Sequence, residues 1–191
     1  MNALRQPSPP SRCPNVVLRD AEGTPRALRD FWSIRPTVFA LMRHSGCTFF
    51  RAYASVLESA RPDFDAAGLS VIIILQSDVE GIRSFRDRLR LSWPCLSDPD
   101  CRAYRAFGLG RGSVVQLLGP RVWWRGFLSF MRGHAPGLPD GDGLQLGGTF
   151  GVGVDGIVYY SRPNRDASDN PAPAEIITAM TAALRGAPDP C

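Results

Sequence analysis

One thiol in this 191-residue chain sits where local sequence alone can make it reactive. Thr37–Met42 is almost continuously apolar, Arg43–Gly46 is a short polar turn, and apolar residues return at helical spacing beyond Cys47. The pattern predicts a buried strand feeding a helix whose first turn carries Cys47. Unbonded backbone N–H groups and the positive end of the helix dipole favour a thiolate there over a thiol. Arg43 and Arg51 can lower the pKa further and hold developing negative charge, and His44 can lend a proton. The chemistry this implies is that of a nucleophilic sulfur, open to oxidation and to exchange with a disulfide.

The other four cysteines, at 13, 95, 101 and 191, lack the short paired spacings of a zinc site or a secreted disulfide framework. Cys101, in the first turn of a predicted helix, is the better exposed candidate for a resolving thiol. Cys95, beside Pro94 at the start of a short strand, is the second candidate and also reads as buried core. Cys13 and Cys191 lie near the chain ends, where they can reach a site or stay idle. His44, His134, Asp140 and Asp142 match no metal-ligand spacing, so no metal is expected. The glycine pairs Gly147–Gly148 and Gly151–Gly153 lack the strand-to-helix setting of a phosphate loop, and no cofactor is expected.

Composition narrows the class. The chain is 44% hydrophobic and 21% charged, as in water-soluble globular proteins. No apolar run is long enough to span a bilayer, and the first residues lack the apolar centre of a secretory signal, so the expected location is cytoplasmic with no membrane partner. Every one of the 22 basic residues is arginine, yet the net charge is only +4 and no basic run is interleaved with aromatics. Nucleic acid is therefore not an expected partner.

The elements that must hold Cys47 follow in order. Residues 1–14 are rich in Pro, Ser and Arg and predict a loose arm; 15–186 form one domain and 187–191 a tail. Val16–Leu18 and the turn Asp20–Gly23 predict a small hairpin, and Leu28–Trp32 a helical turn. In the helix after Cys47, the apolar stripe is Phe49, Tyr53, Val56, Leu57 and Ala60. Leu69–Leu75 is a second buried strand. Ser77 and Glu80 have capping-box spacing before a helix striped by Ile82, Phe85 and Leu89. A strand near Cys95–Leu96 precedes a helix opened by Asp98–Pro99 and stopped at Gly108. Val114–Leu118 is a weaker strand, and RVWWRGFLSFMR reads as a short helix whose Trp123, Trp124, Phe127, Phe130 and Met131 pack, line a pocket or meet a second copy. Asp155–Gly156 marks a hairpin turn, and Pro173–Arg185 a last helix. Two parallel strands linked by helices, then an antiparallel hairpin and a helix, give an α/β fold: a mixed central sheet flanked by helices, with an N-terminal hairpin and an insert before the C-terminal hairpin. Among such folds the thioredoxin arrangement puts a cysteine at the first strand-to-helix junction.

RHSGCTFFR at 43–51, LSDPDCRAYRAFGL at 96–109, RGHAPG at 132–137, DGLQLGGTFGVGVDGIVYYSR at 142–162 and RDASDNP at 165–171 together resemble the peroxiredoxin-like branch of the AhpC/TSA proteins. The resemblance covers roughly residues 15–185 and implies a thioredoxin-like fold with a redox role centred on a cysteine. Cys47 matches the first cysteine of the pair found at this junction in many members, and Phe50 stands at the second position. Counting back from Cys47 puts His44 and Ala40 where typical peroxiredoxins have threonine and proline. Leu146–Thr149 occupies the stretch that faces the cysteine in thioredoxin-fold enzymes. The resemblance implies reduction of a small peroxide or exchange with a disulfide, a thioredoxin- or glutathione-like thiol as reductant, and a homodimer among the assembly states. Two readings stay open beside it: a thioredoxin-fold binding protein without catalysis, and a lipid endoperoxide reductase.

Overall fold

β-Branched and other apolar residues dominate TVFALM and SVIIIL, and these become the two strands buried on both faces, β4 (Thr37–Met42) and β5 (Ser70–Leu75). The computed structural model describes residues 11–43, 48–110, 144–166 and 168–186. The remaining strands are β1 (Ser11–Arg12), β2 (Val17–Asp20), β3 (Pro25–Ala27), β6 (Cys95–Ser97), β7 (Gly148–Val152) and β8 (Ile157–Pro163). The helices are α1 (Arg29–Trp32), α2 (Thr48–Ser59), α3 (Arg61–Ala66), α4 (Val79–Leu89), α5 (Arg102–Ala106) and α6 (Pro173–Arg185).

The strands form one mixed sheet in the order β1-β8-β7-β4-β5-β6-β2-β3. β4 lies near its centre, parallel to β5 on one side and antiparallel to β7 on the other. Alternation along each strand divides the core. Val38, Ala40, Met42, Val71, Ile73 and Leu75 meet the helices α2, α3, α4 and α6. Phe39, Leu41, Ile72 and Ile74 face the opposite way, onto α1 and α5. Burying each such side chain contributes about 1.5–3 kcal/mol, which fixes the register of both strands.

The structure corrects several expectations. Residues 11–13, expected to belong to a loose arm, are part of the fold: Ser11 and Arg12 pair with Val158 and Ile157 of β8, and Cys13 is buried. A third strand is parallel: β6 pairs with β5 in the direction imposed by the α4 crossover. In α2 the core stripe is Phe50, Tyr53, Ala54 and Leu57, at i, i+3, i+4 and i+7, while Val56 is 47% exposed. Ala60 falls outside α2 and is the N-cap of α3, where Pro62 enters the first turn. The cap of α4 is Asp78, whose carboxylate accepts from Gly81 N–H at 2.8 Å, in place of the expected Ser77–Glu80 box. Asp98 does satisfy the start of α5, accepting from Arg102 N–H and Ala103 N–H at 2.8 Å each. The helix nevertheless begins three residues beyond Pro99. Val114–Leu118 and the helix expected over 121–132 lie outside the described residues.

Candidate functional site around the end of β4

Residues beyond Met42 leave the sheet at the carboxyl end of a central parallel strand, the edge at which open α/β sheets hold their ligands. Arg43 follows immediately and is only 8% exposed. Its carbonyl oxygen accepts from Gln76 N–H at 3.0 Å, tying the end of β4 to the residue after β5. The described part of α2 begins at Thr48, the residue after Cys47 in sequence. Cys47 and His44 themselves lie outside the described residues. Arg51 stands in the first turn and a half of α2, half-buried, and lines a crevice with Ser84, Phe85 and Arg88 of α4.

The segment before β7 closes over this corner. A side-chain carbon at Gly147 would stand 2.4 Å from the Leu41 carbonyl oxygen and 3.3 Å from the Phe50 ring. Only hydrogen fits there, so the backbone of Gly147 rests directly on β4 and on the first turn of α2. Phe50, at the second-cysteine position, points into the core and is 1% exposed. Asn164 N–H donates to the Gly147 carbonyl at 3.0 Å, and its side-chain amide donates to Asn170 Oδ1 at 2.9 Å. Gln145 is buried, and its amide nitrogen lies 3.0–3.3 Å from the carbonyl oxygens of Leu109, Gly110 and Leu146. Leu146 N–H also donates to Gly110 at 3.2 Å, so Gly110 and the 145–146 segment are joined.

Between β8 and the start of α6 runs a polar network that the sequence did not announce. Arg162 donates to both carboxylate oxygens of Asp169, at 3.1 and 3.0 Å, and its Nε lies 3.7 Å from Glu175. Tyr160 donates to Glu175 at 2.9 Å. Burial tends to raise the Asp169 carboxyl, but the bonds from Arg162 and from Arg165 N–H hold it below the usual carboxylate range. Burial pushes the Tyr53 hydroxyl up; Thr149 lies beside it, outside ordinary hydrogen-bond geometry. Neither Arg162 nor Asp169 belongs to a periodic pattern, and their spacing across a loop carries no signal that an ion pair forms.

The candidate resolving thiols are both interior. Cys95 is core, as expected, and burial pushes its thiol up to about 12. Cys101 is 8% exposed, so its expected accessibility is corrected. It precedes α5 with φ +53°, a left-handed turn that tucks its side chain into the cluster containing Leu18, Leu96 and Tyr104. Cys13 is buried as well, its thiol raised to about 12 by desolvation. High pKa and burial make such thiols poor nucleophiles.

Two depressions, of 360 and 430 Å³, lie along the β2–β3 hairpin, and neither is lined by β4, α2 or β7. Among the described residues no group of three or more His, Cys, Asp or Glu could hold a metal ion. Among the same residues no helix is long and apolar enough to cross a membrane.

A central mixed sheet covered on both faces, with a helix following its central strand, is the arrangement of a thioredoxin-like fold. The AhpC/TSA antioxidant enzyme family matches residues 56–166, more than half of the chain, and the chain belongs to it. That match begins within α2, beyond Cys47, and so rests on the body of the fold. A Mycobacterium tuberculosis H37Rv protein provisionally named a peroxiredoxin is 34% identical over 103 residues, 53% of this chain and 64% of its own length. The chain thus spans just under two thirds of that relative. Mouse peroxiredoxin-like 2A is 27% identical over 176 residues, 87% of this chain and 76% of its own. The crystal structure of the peroxidoxin BcpB from Mycobacterium tuberculosis superposes with a TM-score of 0.65 at 20% identity, covering 92% of this chain and 95% of that one.

Proposed function

We propose that this protein is a peroxiredoxin-like thiol oxidoreductase in which Cys47 is the reacting group. The observation that carries the reading is the junction itself: β4 ends at Met42, the buried Arg43 follows, and α2 is already helical at Thr48, the residue after Cys47 in sequence. A sulfur placed there gains from the first N–H groups of a twelve-residue helix and from a cation held in a low-dielectric corner.

The thiolate attacks the terminal oxygen of a hydroperoxide. A sulfur–oxygen bond forms, the O–O bond breaks, and the alkoxide or hydroxide leaves and takes up a proton. Sulfur is oxidised to the sulfenic acid and the peroxide is reduced to an alcohol or water. Arg43 and Arg51 balance charge on the sulfur and the departing oxygen, and His44 supplies the proton. Among the described residues the cysteines Cys13, Cys95 and Cys101 are all interior, which favours an external thiol as the group that resolves the sulfenic acid. It displaces water to give a mixed disulfide, and a second thiol then releases Cys47. Glutathione-like or thioredoxin-like reductants fit this cycle, as does a cytoplasmic location; disulfide substrates enter at the mixed-disulfide stage. A homodimer is the proposed assembly.

The test is peroxide consumption with glutathione or with thioredoxin and its reductase, compared between the wild type and Cys47→Ser. Turnover that is lost in the serine variant supports the reading. Equal turnover in both proteins, or none in either with any hydroperoxide tried, overturns it in favour of a binding role for the scaffold.

A further inference from the structure

Tyr104 is a fully buried residue of α5, on the face of the sheet opposite α2. Its ring packs in the cluster that holds Phe39, Leu41 and Ile74, yet its hydroxyl finds two backbone oxygens. It donates to the carbonyl of Met42, and the carbonyl of Ile74 lies 3.1 Å away. A phenol has one proton to give, and both acceptors sit at the carboxyl ends of β4 and β5. Desolvation raises its pKa well above the ordinary value, so the donor stays protonated wherever the protein is folded.

The Met42 carbonyl is half of the peptide that joins Met42 to Arg43. On the other side of the Arg43 α-carbon, the Arg43 carbonyl accepts from Gln76 N–H. The backbone of Arg43 is therefore gripped on both sides, from α5 by Tyr104 and from the end of β5 by Gln76. Packing alone does not require the hydroxyl: phenylalanine would fill the same space and leave the Met42 carbonyl without this donor.

We infer that Tyr104 is a positioning residue, whose hydroxyl fixes the Met42–Arg43 peptide and thereby the buried cation that tunes Cys47. The inference rests on the roles of Cys47 and Arg43 proposed above.

The experiment follows the rate of Cys47 alkylation by iodoacetamide over pH in full-length wild type, Tyr104→Phe, Arg43→Gln, the double variant and Phe107→Leu, with thermal melting of each. Tyr104→Phe is expected to raise the midpoint by about one pH unit, as is Arg43→Gln, and the double variant to rise no further than Arg43→Gln alone. Phe107→Leu removes packing from the same cluster and is expected to lower the melting temperature without moving the midpoint. A midpoint unchanged in Tyr104→Phe while Arg43→Gln shifts it, or full additivity in the double variant, overturns the positioning role alone. A midpoint unmoved by Arg43→Gln removes the underlying role of Arg43 and the inference with it. Should Tyr104→Phe not fold, 3-fluorotyrosine at position 104 keeps the ring and strengthens the donor; a midpoint shifted downward supports the inference and an unchanged one overturns it.

Discussion

At the scale of single residues, Gly147 shows how tightly the site corner is closed, and Gly151, opposite Val38 toward the start of β4, gives the contrast. An added carbon at Gly147 meets the backbone oxygen of Leu41 at 2.4 Å, and backbone cannot step aside. At Gly151 the obstacle is Met180 Sδ at 2.1 Å, the far part of a flexible side chain. Gly147→Ala is therefore expected to lose about 2–3 kcal/mol or more in urea unfolding, and Gly151→Ala less, because Met180 can repack. Equal losses would contradict the rigid contact at Gly147. The Arg162–Asp169 pair is mostly shielded and bidentate, so Asp169→Asn is expected to cost about 1 kcal/mol at neutral pH. The sign with pH follows from the lowered carboxyl. A depressed folded-state pKa stabilises above the ordinary carboxylate range, and that share is lost as pH falls through the folded value. The gap between wild type and Asp169→Asn should thus hold from neutral pH to about pH 5 and close at more acid pH. A gap that widens on acidification would show that the pair is not what holds this loop.

At the scale of elements, the start of α4 separates two local rules. Ser77 and Glu80 have the right spacing for a box, but Ser77 is buried and its carbonyl accepts from Ser97 Oγ at 2.8 Å. The cap passes to Asp78, whose backbone is extended and whose carboxylate reaches Gly81 N–H. Asp78→Ala is expected to cost about 1 kcal/mol and Glu80→Ala only a few tenths, since the exposed Glu80 pairs with Arg83 at the surface. Thermal melting of the two variants checks this; the reverse order would restore the box. Elements written by a simple period were legible: β4 has the bounds expected from its apolar run, and α6 those set by Pro173 and Gly186. The face of α2 was not, because Phe49 and Phe50 are both apolar and only the packing on Ala40 and Gly147 chooses between them. Cys101 was misjudged for a related reason, since its burial comes from a left-handed turn that composition does not encode.

Over the whole molecule, the mixed sheet and its two helix layers were readable from alternating apolar runs, and the family is shown by a match over residues 56–166. The groups that support the site were less legible. Tyr104, Gln145 and the pair Arg162 and Asn164 come from three separate stretches, and only the assembled fold brings Tyr104, Gln145 and Asn164 to carbonyl oxygens and Arg162 to Asp169. Tyr104 and Gln145 act on backbone oxygens, Asn164 through its own N–H and Arg162 across a loop, where spacing says nothing. The described fold brings the buried Arg43 and the Gly147 backbone to the end of β4; in the function proposed above, Cys47 is the residue through which that corner acts. The most direct measurement is intact and peptide mass after one equivalent of a hydroperoxide, with a sulfenic-acid trap present. The account predicts a single trapped adduct mapped to Cys47, absent in Cys47→Ser; an adduct on another cysteine that persists in the serine variant, with Cys47 untouched, would contradict it.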